Sequence, residues 1–264
     1  MNSFEHIPKY PVQTLGKALD ILNYIKDNHS TEGISLTEIS KALGIGKSGV
    51  HRLLDTLMAY DFIEKTSDTS TSYRLGWGLY HAGNAVPKQH TLSSSNYMPI
   101  MEKLCKKFSE TVNLGIYSNF ETIIMYQMEP NRMLRTNTQI GEREPLYCTS
   151  LGKIFLSQFS YAQLESYIKE ISPERKTRNT KVTFDDLLND ISEIKDRGYA
   201  IDDEEYVEGM ICMAMPIKDF SGKTIYGISV SGPAARMTEE KRNEIYPILK
   251  EACGEISEFL GYKA

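Results

Sequence analysis

The sequence predicts two domains of different class: a small, mainly helical one with a β-hairpin over residues 1–76, and an α+β one over residues 97–264. Three observations point there. Three helical patterns crowd into the first 60 residues and are followed at once by two alternating runs around a polar turn. Beyond residue 97, strand-like and helical stretches interleave, with strand runs in hairpin-like pairs. Between them, residues 77–96 read as a partly helical linker, because Pro87 and the run Thr91-Leu92-Ser93-Ser94-Ser95 break continuity; the boundary falls near residue 90.

Composition narrows the function classes. The 264 residues suffice for two medium domains, and no apolar run approaches the ~20 residues of a membrane span. The start, Met-Asn-Ser-Phe-Glu-His, has neither the basic nor the apolar segment of an export signal, so a cytoplasmic protein is expected. The four cysteines, Cys105, Cys148, Cys212 and Cys253, are widely spaced with no metal-binding pattern, and free thiols are expected. The net charge is -5, and residues 1–83 hold 8 Lys/Arg against 9 Asp/Glu. Any attraction to phosphate must therefore come from a few well-placed cations rather than from bulk charge.

The first helix places Leu15, Ala18, Leu19, Leu22 and Ile25 at helical spacing and ends near Asn28-His29, before a loop at Ser30–Gly33. A second helix starts at Ser35-Leu36-Thr37-Glu38, a capping box, with Leu36, Ile39 and Leu43 as its apolar side. Gly44 supplies the turn through positive φ. A third helix opens at Gly46-Lys47, burying Val50, Leu53, Leu54 and Leu57 and leaving Lys47, Ser48, Gly49, His51, Arg52 and Asp55 outside.

Two short helices joined by a glycine turn, the second polar in its N-terminal half, match the geometry that enters a major groove. An ordinary helical hairpin would also be solvated on that face. Here the face gathers Lys, Ser, His and Arg, donors suited to phosphates and purine edges. The alternating runs at Phe62–Thr66 and Ser72–Leu75, around the turn Ser67–Thr71, then form a wing offering Lys65 and Arg74. Candidate DNA contacts are Ser35, Lys47, Ser48, Gly49, His51, Arg52, Lys65 and Arg74.

In the second domain Pro99 is expected at a helix start, followed by Met101, Leu104, Cys105 and Phe108 on the buried side. Strands are expected at Thr111–Ser118 and Thr122–Met128, and a loop at Gly141–Leu146 leads to a helix at Thr149-Ser150 with Leu151, Ile154 and Phe155 inward. Another helix runs from Thr183 to Gly198 through Leu187, Leu188, Ile191 and Ile194. Strands at Ile211–Ile217 and Ile225–Ser231 precede a long helix from Thr238 that is expected to bend at Pro247.

In the last strand Gly227, Ser229 and Ser231 share one face, while Tyr226, Ile228 and Val230 share the other; Met210, Cys212 and Ala214 likewise share a face. Small polar groups in a row on a buried strand fit a pocket for a polar ligand, and equally fit hydroxyls that satisfy nearby backbone. The helix start at Thr149-Ser150 offers free amides to an anion.

Catalysis is not expected. All five histidines lie in the first 90 residues, which removes Ser-His and Cys-His pairs and His-based zinc sites from the second domain. The run Asp202-Asp203-Glu204-Glu205 reads as a solvated turn with one member engaged, and neither a dinucleotide nor a P-loop fingerprint is present. No cofactor and no metal are expected.

Taken together, the chain resembles the IclR family of bacterial transcription regulators from about Thr14 to Leu260. The resemblance rests on Lys17–Leu22, Gly46–Leu54, Tyr73-Arg74-Leu75-Gly76, Thr149–Lys153, Arg197–Glu205 and Ser229-Val230-Ser231-Gly232-Pro233. It implies an N-terminal winged helix-turn-helix and a C-terminal GAF-like effector-binding and oligomerisation domain. It also implies binding to a palindromic operator in double-stranded DNA as a homodimer or homotetramer (a dimer of dimers), and an effector that is a small carboxylate. The implied effector residues are Thr149, Ser150, Leu151, Gly152, Asp202, Met210, Cys212, Ser229 and Ser231.

Two departures stand out: family sequences commonly carry Thr or a similar side chain at Gly49, and some place a small residue at Leu151. The alternative expectation is a small-molecule-binding protein or enzyme that uses its helical N-terminal domain only to dimerise.

Overall fold

The computed structural model describes residues 9–28, 32–67, 70–89 and 94–263, in two compact units, 9–89 and 94–263. His29 and the loop start at Ser30, the wing tip at Asp68-Thr69, and the linker residues 90–93 lie outside the described residues.

The first unit contains α1 (Gln13–Asp27), β1 (Ile34–Ser35), α2 (Leu36–Leu43), α3 (Lys47–Ala59), β2 (Ile63–Lys65), β3 (Ser72–Leu75) and α4 (Trp77–Gln89). The Ser35 half of the expected capping box is formed, its Oγ accepting from the Glu38 amide at 3.2 Å. Gly44 ends α2 at φ 63°, a conformation that costs a glycine little. Ile21, Ile25, Ile34, Ile39, Val50, Leu54, Leu57, Ile63 and Tyr73 form the core. The wing is a three-stranded antiparallel sheet in the order β1-β3-β2, because Ile34 and Ser35 pair with Tyr73 and Ser72.

Two expectations are corrected here. Leu15 and Leu19 are 59% and 51% exposed; of the expected stripe Ile25 is buried and Ala18 and Leu22 are partly buried, and Ile21 joins them. The helical period holds, but the buried side centres on Ile21 and Ile25, which leaves Leu15 and Leu19 at its exposed edge. Pro87 does not break the chain direction; it lies inside α4. A proline forfeits one helical hydrogen bond, and the helix continues without it.

The second unit contains α5 (Ser94–Phe108), β4 (Thr111–Ser118), β5 (Glu121–Met128), β6 (Arg143–Pro145), α6 (Ser150–Leu156), α7 (Tyr161–Ile171), α8 (Phe184–Arg197), β7 (Ala200–Asp203), β8 (Met210–Lys218), β9 (Thr224–Pro233) and α9 (Glu239–Phe259). The strands form one antiparallel sheet in the order β6-β5-β4-β9-β8-β7.

Strand alternation divides the sheet's two faces. Val112, Leu114, Met213, Met215, Ile228 and Val230 face the main core, together with Met101, Leu104 and Phe108 of α5 and Ile245, Leu249 and Ile256 of α9. The opposite face carries Thr111, Asn113, Asp202, Cys212, Ser229 and Ser231 at one end. At the other it carries Gly115, Gly227, Ala200 and Ala214, on which α6 rests through Leu151 and Ile154. Small residues let the helix approach the sheet closely, and the polar end is left uncovered by it.

Pro99 lies inside α5, which begins five residues earlier; α9 starts after Thr238 and contains Pro247, as expected. The expected loop at Gly141–Leu146 contains the edge strand β6, and the expected acidic turn begins as strand β7. Helix α7, closed by a capping box between Ser160 and Gln163, had not been read from the sequence at all. All four cysteines are free thiols. No helix among the described residues is long and apolar enough to cross a membrane.

Candidate functional site

Two surfaces bear on function, one in each unit. In the first, Lys47, Ser48, His51 and Arg52 are exposed along one side of α3, while Val50, Leu54 and Leu57 anchor the other side. Gly49 is half-buried, and a Cβ there would come 3.3 Å from Ile45 Cγ2, so its bare position faces the turn as much as solvent. Ser35 is half-buried and committed to capping α2. In the wing Lys65 is exposed, whereas the Arg74 Nε donates to Glu64 Oε1 at 2.7 Å across the β2–β3 pair.

The second surface is a cavity of about 380 Å³ on the polar end of the sheet. Asn113, Cys212, Ser229 and Ser231 provide its floor, Thr149, Ser150 and Leu151 one wall, and Asp202, Tyr206, Val207 and Met210 another. Glu142, Glu144 and the segment from Arg135 to Thr138 close the remaining side. That segment is strapped down: the Thr136 hydroxyl donates to the Ser231 carbonyl at 3.2 Å. Arg236 donates to the Leu134 carbonyl at 3.0 Å while gripping both carboxylate oxygens of Glu110 at 2.5 and 2.7 Å.

The cavity is rich in acids held away from their ordinary state. Burial, with Glu142 and Asp202 nearby, pushes the Glu144 carboxyl up to about 7. Burial likewise pushes Asp202 up to about 7, against the pull of the Glu205 amide and Lys153. The Cys212 thiol is pushed well above its usual range by burial and by Asp202, which makes it a poor nucleophile. Arg135 is the one cation among the described lining residues, and its Nε already donates to Glu129 Oε2 at 2.9 Å.

Asp202 connects the cavity to a buried charge cluster. Its Oδ1 accepts from the amides of Glu205 at 2.7 Å and Tyr206 at 3.3 Å. Glu205 turns its carboxylate to Lys153 Nζ at 2.6 Å, and the same ammonium meets Asp190 of α8 at 2.7 Å. Lys153 is 1% exposed, and Lys181 completes the set at 2.9 Å from Asp190. The two carboxylates hold the Lys153 ammonium above its ordinary value despite burial. The run Asp202–Glu205 is therefore no solvated turn: Asp202, on the inner face of β7, and Glu205, just past the strand's end, are both buried and engaged.

Of the nine effector residues expected, eight line the cavity; Gly152 does not. The Gly152 amide is taken by Thr149 Oγ1 at 3.1 Å, and a Cβ at this position would run into the backbone of Leu146. Its place is structural: it lets the segment from β6 cross α6 at close range. Sequence reading missed Asn113, Glu144, Tyr206 and the segment Arg135–Thr138. Asn113 had a visible signal, a polar residue between Val112 and Leu114 in an apolar strand; Glu144 lies in the stretch expected as a loop, and Arg135–Thr138 and Tyr206 lie in stretches with no regular pattern.

Against this geometry stand the similarities to known proteins. The family model described as "IclR helix-turn-helix domain" matches residues 14–67, and "Bacterial transcriptional regulator IclR C-terminal" matches residues 88–258. The HTH-type transcriptional regulator BhcR of Paracoccus denitrificans is 33% identical over 246 residues, covering 93% of this chain and 86% of the relative. The HTH-type transcriptional repressor AllR of Escherichia coli is 31% identical over 261 residues, covering 98% of this chain and 94% of that one. Among solved structures, the IclR of Thermotoga maritima superposes with a TM-score of 0.76 at 30% identity, over 96% of this chain and all of the other. An IclR homologue from Microbacterium hydrocarbonoxydans, complexed with 4-hydroxybenzoate, shares the fold with a TM-score of 0.78 at 19% identity, over 94% and 99% of the two chains.

Proposed function

The chain belongs to the IclR family of bacterial transcriptional regulators, with a helix-turn-helix and an effector-binding C-terminal domain, and on that premise we propose what each site does. The exposed side of α3, carrying Lys47, Ser48, His51 and Arg52 beside Gly49, enters the major groove of a palindromic operator. Lys65 and Arg74 of the wing, with Ser35 at the start of α2, approach the backbone. A homodimer or dimer of dimers presents two such helices.

The effector is a small organic acid held in the cavity beneath Arg135–Thr138. The observation that carries this reading is the cavity's polar floor, Ser229 and Ser231, beside Thr149 and Ser150, with two carboxyls poised near neutrality. Glu144 and Asp202 retain a proton in an appreciable fraction of molecules at pH 7. A protonated carboxyl donates a hydrogen bond where an ionised one would repel an acid. Binding biases the C-terminal domain toward one arrangement of the two DNA-binding domains and so changes operator affinity. A small-molecule enzyme with a merely dimerising N-terminal domain finds no support among relatives named as regulators and repressors.

The test is footprinting of the full chain on the promoter beside its own gene, with and without a panel of small organic acids preselected by thermal shift. A protected palindrome that a panel member weakens or strengthens is expected. The double variant Ser229→Ala, Ser231→Ala should keep the footprint and lose the response. Loss of the footprint itself in this variant would make the two serines structural, and no footprint with wild type would overturn the operator reading.

A further inference from the structure

We infer that the cavity selects an effector bearing a hydrogen-bond donor, a hydroxyl or an amide N–H, next to its acid group, and that Asn113 is the residue that selects it. This rests on the reading of the cavity as the effector site.

Asn113 stands on the central strand β4, is 3% exposed and lines the cavity floor. Its Nδ2 reaches Ser229 Oγ at 3.5 Å, but its Oδ1 has no hydrogen-bond partner. A buried carbonyl oxygen without a donor is costly, and native proteins rarely leave one unanswered. Among the described residues no donor answers it: Ser229 Oγ and Ser231 Oγ are 3.5 Å apart, at the limit of a hydrogen bond, Arg135 is held by Glu129, and the spare donors beside it, the Gln127 amide and the Thr111 hydroxyl, form no bond to it.

The neighbourhood repeats the pattern. Thr111, paired with Ser231, has a buried hydroxyl without a partner, and Gln127, paired with Asn113 across β4–β5, has a buried amide nitrogen without one. Unanswered groups thus gather on the same sheet face, around the cavity floor. A ligand carboxylate against Asn113 Oδ1 would oppose oxygen to oxygen. The acid group therefore sits toward Ser231 and Ser150, which also line the cavity, and a donor on the adjacent atom meets Asn113. A site built to bond such a donor discriminates strongly against the analogue that lacks it, because the buried acceptor is again left bare.

The test is calorimetric titration of the full chain with two matched pairs, mandelate against phenylacetate and lactate against propionate, plus the neutral mandelamide. In at least one pair the hydroxy acid should bind tenfold or more tighter than its deoxy partner. Asn113→Leu should bring that ratio close to one, whatever it does to the affinity for the deoxy acid. Asn113→Asp, which keeps the acceptor oxygens and guards against misfolding of the leucine variant, should retain the preference. Equal binding within both pairs, or a preference that survives Asn113→Leu, overturns the inference and leaves the acid reading standing. Mandelamide binding as tightly as mandelate, with an Asn113-dependent preference, overturns the acid reading and supports the donor. Failure of every hydroxyl-bearing probe to bind overturns the inference about Asn113.

Discussion

Leu151 rests on Gly227: its Cδ2 lies 3.0 Å from where a Cβ on that glycine would stand, and its Cδ1 lies equally close to the same point on Gly115 of the neighbouring strand. The paired glycines make a dent in the sheet that receives the leucine. The side chain is accommodated by the sheet below it rather than by the cavity beside it. Gly227→Ala would fill the dent and push Leu151 toward the ligand. The variant should fold, since the obstructing atom is the end of a flexible side chain, and should bind the effector at least tenfold more weakly by titration. Unchanged affinity would mean that Leu151 has another way to yield.

Gly152→Ala is expected to be far more damaging. The added methyl would meet the backbone of Leu146, which cannot yield without moving β6. Thermal or urea denaturation should register a loss of several kcal/mol, at the upper end of single substitutions. A loss under about 1 kcal/mol would show the crossing to be looser than the geometry implies.

Lys153→Met removes the cation that Asp190 and Glu205 share in the interior. An uncompensated buried charge costs about 3–5 kcal/mol, and Lys181 is left to pair with Asp190 alone. Adding Glu205→Gln should recover a substantial part of that loss. A double variant no more stable than Lys153→Met would assign the cost to lost packing of the lysine stem instead.

Stability should respond to pH through Asp202 and Glu144. Each has a folded-state value of about 7, above the ~4 of an unfolded carboxyl. The folded state keeps a proton that the unfolded chain gives up between about pH 4 and 7, so this contribution is present at low pH and is lost as pH rises through 7. Melting temperature should therefore fall from pH 5.5 to pH 8. Asp202→Asn keeps an oxygen for the amides of Glu205 and Tyr206, so it should flatten that fall and melt several degrees higher at pH 8, at about 2–4 °C per kcal/mol. An equally steep fall in the variant would place the titration elsewhere.

On the DNA side, Arg52→Ala should weaken operator binding by about 1–3 kcal/mol, roughly five- to 150-fold, and leave effector binding intact. Glu64→Gln tests the wing. It releases Arg74 from its partner, so affinity for unrelated DNA should rise and its logarithmic salt dependence steepen by about one. Anisotropy titrations at several salt concentrations read both, and an unaltered slope would remove Arg74 from the interface.

Much of this was legible before any coordinates. Caps at Ser35 and Thr183, the glycine stops at Gly44 and Gly198, and the alternation in Ile225–Ser231 are local signals that act within a few residues of themselves. They placed the helix-turn-helix, the wing and the serine face of β9. Where local signals competed or were short, reading failed. Prolines 87 and 99 suggest boundaries by local rule, yet helices continue through both. Strands of two to four residues at Ile34, Arg143 and Ala200 are held by partners far away in sequence.

The sequence by itself determined which side of each long element is apolar, and hence that Ser229 and Ser231 turn away from the core. Only the tertiary structure decided what they turn toward. Sheet register sets Asp202 beside Cys212, Cys212 beside Ser231 and Ser229 beside Asn113, joining residues up to 116 positions apart. Burial then decides their chemistry. A carboxyl's proton and an amide's unmet hydrogen bond depend on the surroundings that long-range packing creates, and no local pattern of residues records them.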